Sequence, residues 1–344
     1  MRSVASLLLV LSLWSQAHSQ TSLEPEVVKK MVVFLFMGKT NGGVCAQISK
    51  GTPLRSEQVE ACVDSDKGAT GFLIAVPDKR SSVVKANEQG PISGLLLLVT
   101  ARHVFEPTWA NCPVANPDAI YLRLNKLKYD PKNDDTGVDY FRVALRNDKS
   151  TPLYWVRNDD EEVDAAVIDI SFEGFSQDHD DFIPLRLSIF ASLDEAQKLQ
   201  IGDSISSAGL LPGKSGQKRN YPFFKFGAIS NIPSEPVTTG CGLGRRLEKV
   251  WFVAANLAPG NSGSPIFYDI PLFCMVRPLI QCHRGLTRGA VIGLQSSSFG
   301  DPIMGSEDVA GMTPIDDVFK IIEKNVPPTF DLYRGDEASK PPVP

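Results

Sequence analysis

The sequence predicts an all-β protein built from antiparallel barrels or sandwiches. Three observations carry that prediction. Short runs rich in Val, Ile, Leu and Phe recur along the chain, separated by Pro, Asn and Asp clusters. The long helical periods that βαβ units require do not occur between them. Across 344 residues, only one stretch near the C-terminal end carries a good helical face.

Val32-Val33-Phe34-Leu35-Phe36 opens the series as a β-prone run, followed by the turn residues Asn41-Gly42-Gly43. Residues 38–68 read as a polar insertion holding Cys45 and Cys62. Residues 71–76 and 95–100 are continuous apolar runs, the pattern of strands buried on both faces. Residues 121–127, 141–145 and 165–170 complete the first half. A connector is expected over 172–200, including the polar stretch Gln177-Asp178-His179-Asp180-Asp181. Strands resume at 204–208, 223–230, 250–254, 265–268 and 290–295. The one helix follows, with Thr313 as its cap and Pro314 in its first turn. Ile315, Val318, Phe319 and Ile322 form its apolar face. The expected units are 24–183 and 184–325, with 326–344, Pro-rich and charged, as a flexible tail.

Composition narrows the classes. Apolar residues make up 42% of the chain and charged residues 22%, enough to build a core, so disorder and a collagen-like repeat are excluded for the body. Net charge is −5 with Lys and Arg scattered, which lacks the electrostatic footprint of a nucleic-acid or anionic-membrane partner. At the start, Arg2, the apolar Leu8–Trp14 and Ala17-His18-Ser19 have the form of a signal peptide over 1–19, cut before Gln20. Its apolar run is about 10 residues against the roughly 18 that span a bilayer, so no stable membrane anchor is expected, an anchor being the rival reading. The expected location is therefore secreted or periplasmic.

The six cysteines are Cys45, Cys62, Cys112, Cys241, Cys274 and Cys282. An even count in an exported chain favours disulfides, with fifteen connectivities open and buried free thiols as the alternative. No Cys-x-x-Cys pair exists, so no zinc or other metal site is expected. No Asn-x-Ser/Thr acceptor occurs either, which hints at a bacterial periplasm or medium.

Three local patterns could do chemistry. Thr100-Ala101-Arg102-His103-Val104 follows an apolar strand, Asp164-Ala165-Ala166-Val167-Ile168 opens one, and Pro259-Gly260-Asn261-Ser262-Gly263-Ser264-Pro265 leads into one. A serine hydroxyl is a poor nucleophile until an adjacent imidazole takes its proton. The imidazole in turn needs a buried carboxylate on its far nitrogen. Gly260 and Gly263 permit a tight turn beside Ser262, and the Gly260 and Ser262 N–H groups could converge as an oxyanion hole. Each pattern alone has a structural explanation; the signal is their co-occurrence in one order, each beside a strand. Other candidates are weaker. Residues 209–215 mimic a phosphate loop but hold three residues between the glycines where four are required. His179 sits in an acidic stretch that could help bind a cation but reads as solvated linker, and His283 lacks nearby partners for a metal. Ser264 could share the face of Ser262, whose glycine-flanked position is the better nucleophile.

With these motifs the chain resembles the chymotrypsin-fold, trypsin-like serine proteases. Thr-Ala-x-His, Asp-x-Ala-Val and Gly-Asn-Ser-Gly-Ser-Pro match the three signatures of that family. Gly227-Ala228-Ile229-Ser230 and Gly71-Phe72-Leu73-Ile74 resemble two of its strands. The resemblance covers residues 24–325. It implies two antiparallel six-stranded β-barrels with a closing C-terminal α-helix and the site in the cleft between them. His103 would be the base, Asp164 the orienter and Ser262 the nucleophile, with the Gly260 and Ser262 amides as oxyanion hole. The implied activity is hydrolysis of peptide bonds in protein or peptide substrates, with no metal or cofactor. The rival is a catalytically silent homologue that binds a protein partner.

Departures from the digestive enzymes matter. Those enzymes switch on when a new N-terminus pairs with an Asp just before the nucleophile; here that position is Asn261 and no Ile-Val-Gly-Gly start exists. The chain is more similar to the high-temperature-requirement branch of bacterial proteases, without the PDZ domain, since 19 residues follow the helix. By the same resemblance Asn256 floors the specificity pocket, and Leu294, Gln295, Ser296 and Ser297 wall it. Asn256 offers no charge to a basic side chain, so a small or apolar residue is expected there. The insertion at 269–288, with Cys274 and Cys282, would reshape that pocket.

Overall fold

The computed structural model describes residues 25–39, 45–49, 51–79, 94–132, 134, 136–171, 173–174, 176–211, 214, 216–239, 245–255, 260–269, 287–298, 309–332 and 334. The signal-peptide reading over 1–19, Asn256, Cys241, Cys274, Cys282, His283 and most of the 269–288 insertion lie outside the described residues.

Helix α1 (Pro25–Met31) leads directly into β1 (Val32–Gly38), whose first five residues are all buried. Helix α2 (Ser56–Cys62) precedes β2 (Val63–Pro77). This strand begins well before the expected residue 71. Its polar half over 63–68 pairs with the end of β1, and alternation there hid the strand inside what reads as an insertion. The rest of the insertion is pinned by the Cys45–Cys62 disulfide against Phe34, Phe36 and Tyr121. Cys112 is also disulfide-bonded.

The first half continues with β3 (Gly94–Thr100), β4 (Ala119–Asn125), β5 (Val138–Ala144), β6 (Tyr154–Trp155), β7 (Ala166–Asp169) and β8 (Leu185–Arg186). Their order is β5-β4-β1-β2-β3-β7-β6, with β8 pairing parallel to β2. The second half holds β9 (Ser204–Gly209), β10 (Phe223–Asn231), β11 (Val237–Thr239), β12 (Arg246–Glu248), β13 (Trp251–Ala254), β14 (Pro265–Tyr268), β15 (Val291–Ser298) and β16 (Val309–Pro314). Six of these close a barrel in the order β10-β13-β16-β15-β14-β9, and β11–β12 forms a separate hairpin. The fold is thus the chymotrypsin-like all-β fold. Among the described residues the second half is a closed six-stranded barrel, while the first is an eight-stranded sheet that remains open.

Within the first half, α3 (Arg102–Phe105) is a single turn after β3; in the connector, α4 (Leu193–Lys198) starts at a Ser192/Glu195 capping box. The C-terminal helix α5 (Ile315–Asn325) buries Ile315, Val318, Ile321 and Ile322. Thr313 does not cap it. Strand β16 runs on to Pro314, which occupies the cap position, and the Thr313 hydroxyl donates instead to the Asp164 carbonyl at 3.2 Å.

The tail is not loose where it is described. Asp331 N–H donates to Pro77 O at 2.8 Å, and buried Arg334 reaches Asp316 and the Ala191 carbonyl, each at 2.7 Å. Partners supplied by β2 and α5 override its Pro-rich composition. Among the described residues, no helix is long and apolar enough to cross a membrane.

Candidate active site

The three motifs land where strands meet. The antiparallel pairing Thr100↔Ala166 joins β3 to β7, so the turn after one strand and the residue before the other become neighbours. His103 sits in that turn and Asp164 just ahead of β7. The Asp164 carboxylate takes two bonds from one residue: Oδ1 accepts the His103 backbone N–H at 2.9 Å, and Oδ2 meets His103 Nδ1 at 2.7 Å. An ionised carboxylate only accepts, so the proton belongs on Nδ1 and Nε2 is left with its lone pair, as a general base requires. Asp164 is 1% exposed, while the His103 side chain retains 22% exposure, so the imidazole can be reached and the carboxylate behind it cannot.

Electrostatics around the imidazole favour its protonation. Burial alone lowers the His103 pKa, but the Asp164 charge and hydrogen bond, with Glu248 adding to them, leave it above the ordinary 6.5. Glu248 was not foreseen. It ends β12, is 2% exposed, and its Oε2 has no hydrogen-bond partner among the described residues. Burial, and then the nearby Asp164 charge, push its pKa up to about 7. The hairpin that carries it docks on the segments flanking the dyad. Arg246 donates to Trp109 O at 2.9 Å and to Glu161 O, and its guanidinium lies 3.9 Å from the Trp109 ring centre. Asn111 Nδ2 donates to Arg245 O at 2.9 Å.

Ser262 is half-buried in the loop between β13 and β14. That loop is sewn to the first half by one threonine. Thr70 N–H donates to Ser262 O at 2.9 Å, and Thr70 Oγ1 donates to Gly260 O at 2.8 Å. Thr100, three residues before His103, donates from Oγ1 to Thr70 O at 2.8 Å. The turn that carries His103 and the loop that carries Ser262 therefore share a polar seam. Gly263 is obligatory in it: its φ is +86°, and a Cβ would lie 2.1 Å from Thr70 O and 2.2 Å from Thr100 Oγ1. Gly260 also has a positive φ, 92°.

Among the described residues, no hydrogen bond joins the Ser262 hydroxyl to the His103 ring, and the N–H groups of Gly260 and Ser262 have no acceptor. Nucleophile–base bonds often tighten only when substrate is present. Unpartnered amides are what an oxyanion hole holds ready for a developing negative charge.

Of the expected pocket residues, Leu294 is fully buried in the core, and Gln295 and Ser296 are 1% and 0% exposed. Gln295 fixes the loop through its backbone, accepting from Gly263 N–H at 2.7 Å and donating to Ser264 O at 2.9 Å. Gln295 Oε1 and the hydroxyls of Ser264, Ser296 and Ser297 are buried without partners among the described residues, so polar atoms gather beside the nucleophile loop. Leu210, from the phosphate-loop mimic, is core. Among the described residues, no group of three His, Cys, Asp or Glu side chains is disposed to hold a metal.

Remote likenesses exist among solved structures. The MamO protease domain from Magnetospirillum magneticum is similar at 13% identity and a TM-score of 0.40, over 86% of this chain and 96% of that one. The active form of the Rv3671c protease from M. tuberculosis is similar at 14% identity and a TM-score of 0.41, over 88% of each chain. No curated protein matches the chain. The model of the trypsin-like peptidase domain matches residues 69–269, more than half of the chain, which therefore belongs to the trypsin-like peptidase family.

Proposed function

We propose that the protein is an exported serine endopeptidase acting on protein or peptide substrates through an acyl-enzyme on Ser262. The observation that carries this reading is the double hold of Asp164 on His103, on the same seam as the nucleophile loop. Ser262 Oγ attacks the scissile carbonyl while His103 Nε2 takes its proton. The new oxyanion accepts the Gly260 and Ser262 N–H groups, each worth about 2.7–4 kcal/mol in the transition state. As the C–N bond breaks, His103 returns the proton to the leaving amine. Water then gives a proton to His103 as it attacks the acyl carbon, and His103 passes that proton to Ser262 Oγ as the C–O bond breaks, releasing the acid and restoring Ser262. The halves 24–183 and 184–325 are the two units of the proposal, with Asn256 and Ser297 shaping the specificity pocket and buried Leu294, Gln295 and Ser296 supporting it from behind. The Cys45–Cys62 disulfide fits the export expected from residues 1–19.

One observation favours a second reading. The missing Ser262–His103 bond suits a silent homologue that binds a partner through the same cleft. Turnover of a denatured protein mixture separates the two. The endopeptidase cleaves it and Ser262→Ala does not; a Ser262→Ala variant that cleaves as well as the parent removes the proposal.

A further inference from the structure

The residue between the two oxyanion amides is Asn261, 1% exposed. Its side chain is held at both ends. Nδ2 donates to the Leu210 carbonyl, and Oδ1 accepts from Lys225 Nζ at 2.8 Å. Lys225 lies on β10, opposite Ser207 of β9, and is itself half-buried. Leu210 N–H donates to Thr70 Oγ1 at 2.8 Å, and that same hydroxyl donates to Gly260 O. The Asn261 carbonyl accepts Ser264 N–H at 2.8 Å. Both peptide planes of Asn261 are thereby fixed through their carbonyls, and its side chain is the remaining lever on the turn.

A long aliphatic stem that brings an ammonium to a buried amide loses hydration and rotamer freedom, so the contact must return what it costs. A charge-assisted bond is about twice as strong as a neutral one. Asn261 offers an amide and no carboxylate to pair with a cationic N-terminus, so the turn that aims the nucleophile needs another anchor.

We infer that Lys225 is a positioning residue: its ammonium, through Asn261, holds the turn that aims the Gly260 and Ser262 amides, so the turn is set without an activating cut. This rests on the reading of Ser262 as nucleophile. Lys225 touches no reacting atom and acts through the loop. Removing its charge should therefore lower kcat and the rate of acylation, with little change in KM.

The experiment uses the full chain with a fluorophosphonate as acylation probe and a peptide substrate for kcat and KM. Lys225→Met is expected to acylate about a hundredfold more slowly, the scale of losing one oxyanion donor, with KM within about threefold. Lys225→Arg should keep most of the rate. Asn261→Ala, which also frees the Leu210 carbonyl, should fall at least as far as Lys225→Met, and the double variant no further than Asn261→Ala, since the lysine acts only through the asparagine. Lys225→Gln, which keeps an N–H donor but no charge, serves if the methionine variant does not fold, and it too must lose rate. A folded Lys225→Met or Lys225→Gln with parental kcat overturns the inference, as do losses that multiply in the double variant. A parent never labelled at Ser262 would instead overturn the serine reading itself. A labelled parent whose variants react equally fast overturns only the role of the lysine.

Discussion

The two halves hold the residues of the proposed triad in opposite ways. In the first, His103 and Asp164 stand at the ends of paired strands and are joined through side chains, the carboxylate gripping both ring and backbone. In the second, Ser262 rides on a loop whose hold is mostly backbone, through Thr70, Gln295 and Ser264. The difference separates two properties: the first half sets the protonation and direction of the base, and the second sets the aim of the nucleophile. Changes in the first should appear in pH profiles and tautomer, and changes in the second in kcat and in the stability of the turn.

The largest expected effect falls on the second half. Ser262→Ala should lose about a million-fold in kcat, measured on a peptide substrate. On the first half, Asp164→Asn should lose about ten-thousand-fold, because an amide no longer enforces a proton on Nδ1. A loss in Asp164→Asn below tenfold would mean that the dyad does not act as a unit.

Next comes Gly263→Ala, set against Gly202→Ala. Both positions have positive φ, +86° and +91°, but nothing lies within 4 Å of a Cβ at Gly202. Gly202→Ala should cost only backbone strain, about 1–3 kcal/mol in thermal unfolding. Gly263→Ala should cost more and also abolish most activity, since the seam must open to admit the methyl group. Equal melting temperatures for the two would break the comparison.

The smallest effect concerns Glu248 and pH. While charged, Glu248 helps His103 hold a proton, so Glu248→Gln should lower the His103 pKa. The acid limb of kcat/KM should then move to lower pH, with the plateau retained. Stability gives an independent check. Burial raises the Glu248 pKa from 4.5 to about 7 in the folded chain, so the folded state binds the extra proton and loses stability as pH rises through that window. Glu248→Gln should therefore melt higher than the parent at pH 8, and the gap should close toward pH 4.5. An acid limb moving upward would contradict this.

How much of this was legible depended on how local the signal was. The three motifs could be read because each is a few residues long and abuts a strong apolar strand. The strands over 71–76 and 95–100 could be read because burial on both faces makes them continuously apolar. Thr313 was misread as a cap, since a Thr-Pro pair before an apolar face has that form whether or not the hydroxyl is claimed by Asp164 across the cleft. Glu248 lies in Leu-Glu-Lys, the composition of a solvated strand end, and only docking of the β11–β12 hairpin buries it. Lys225 interrupts a run of phenylalanines as any outward-facing strand residue would, and its partner is 36 residues away. The docking of Asp331 and Arg334 follows from Pro77 and Asp316, which no reading of the tail alone supplies.

Mapping of the covalent adduct decides whether this convergence of distant segments works as chemistry. The mature protein is treated with a fluorophosphonate, digested, and the modified peptide sequenced by mass spectrometry. The account predicts one phosphonylated residue, Ser262, formed faster as pH rises through the His103 pKa and absent in Asp164→Asn on the same timescale. An adduct on Ser264 in its place, or a folded protein that stays unmodified at every pH, would contradict it.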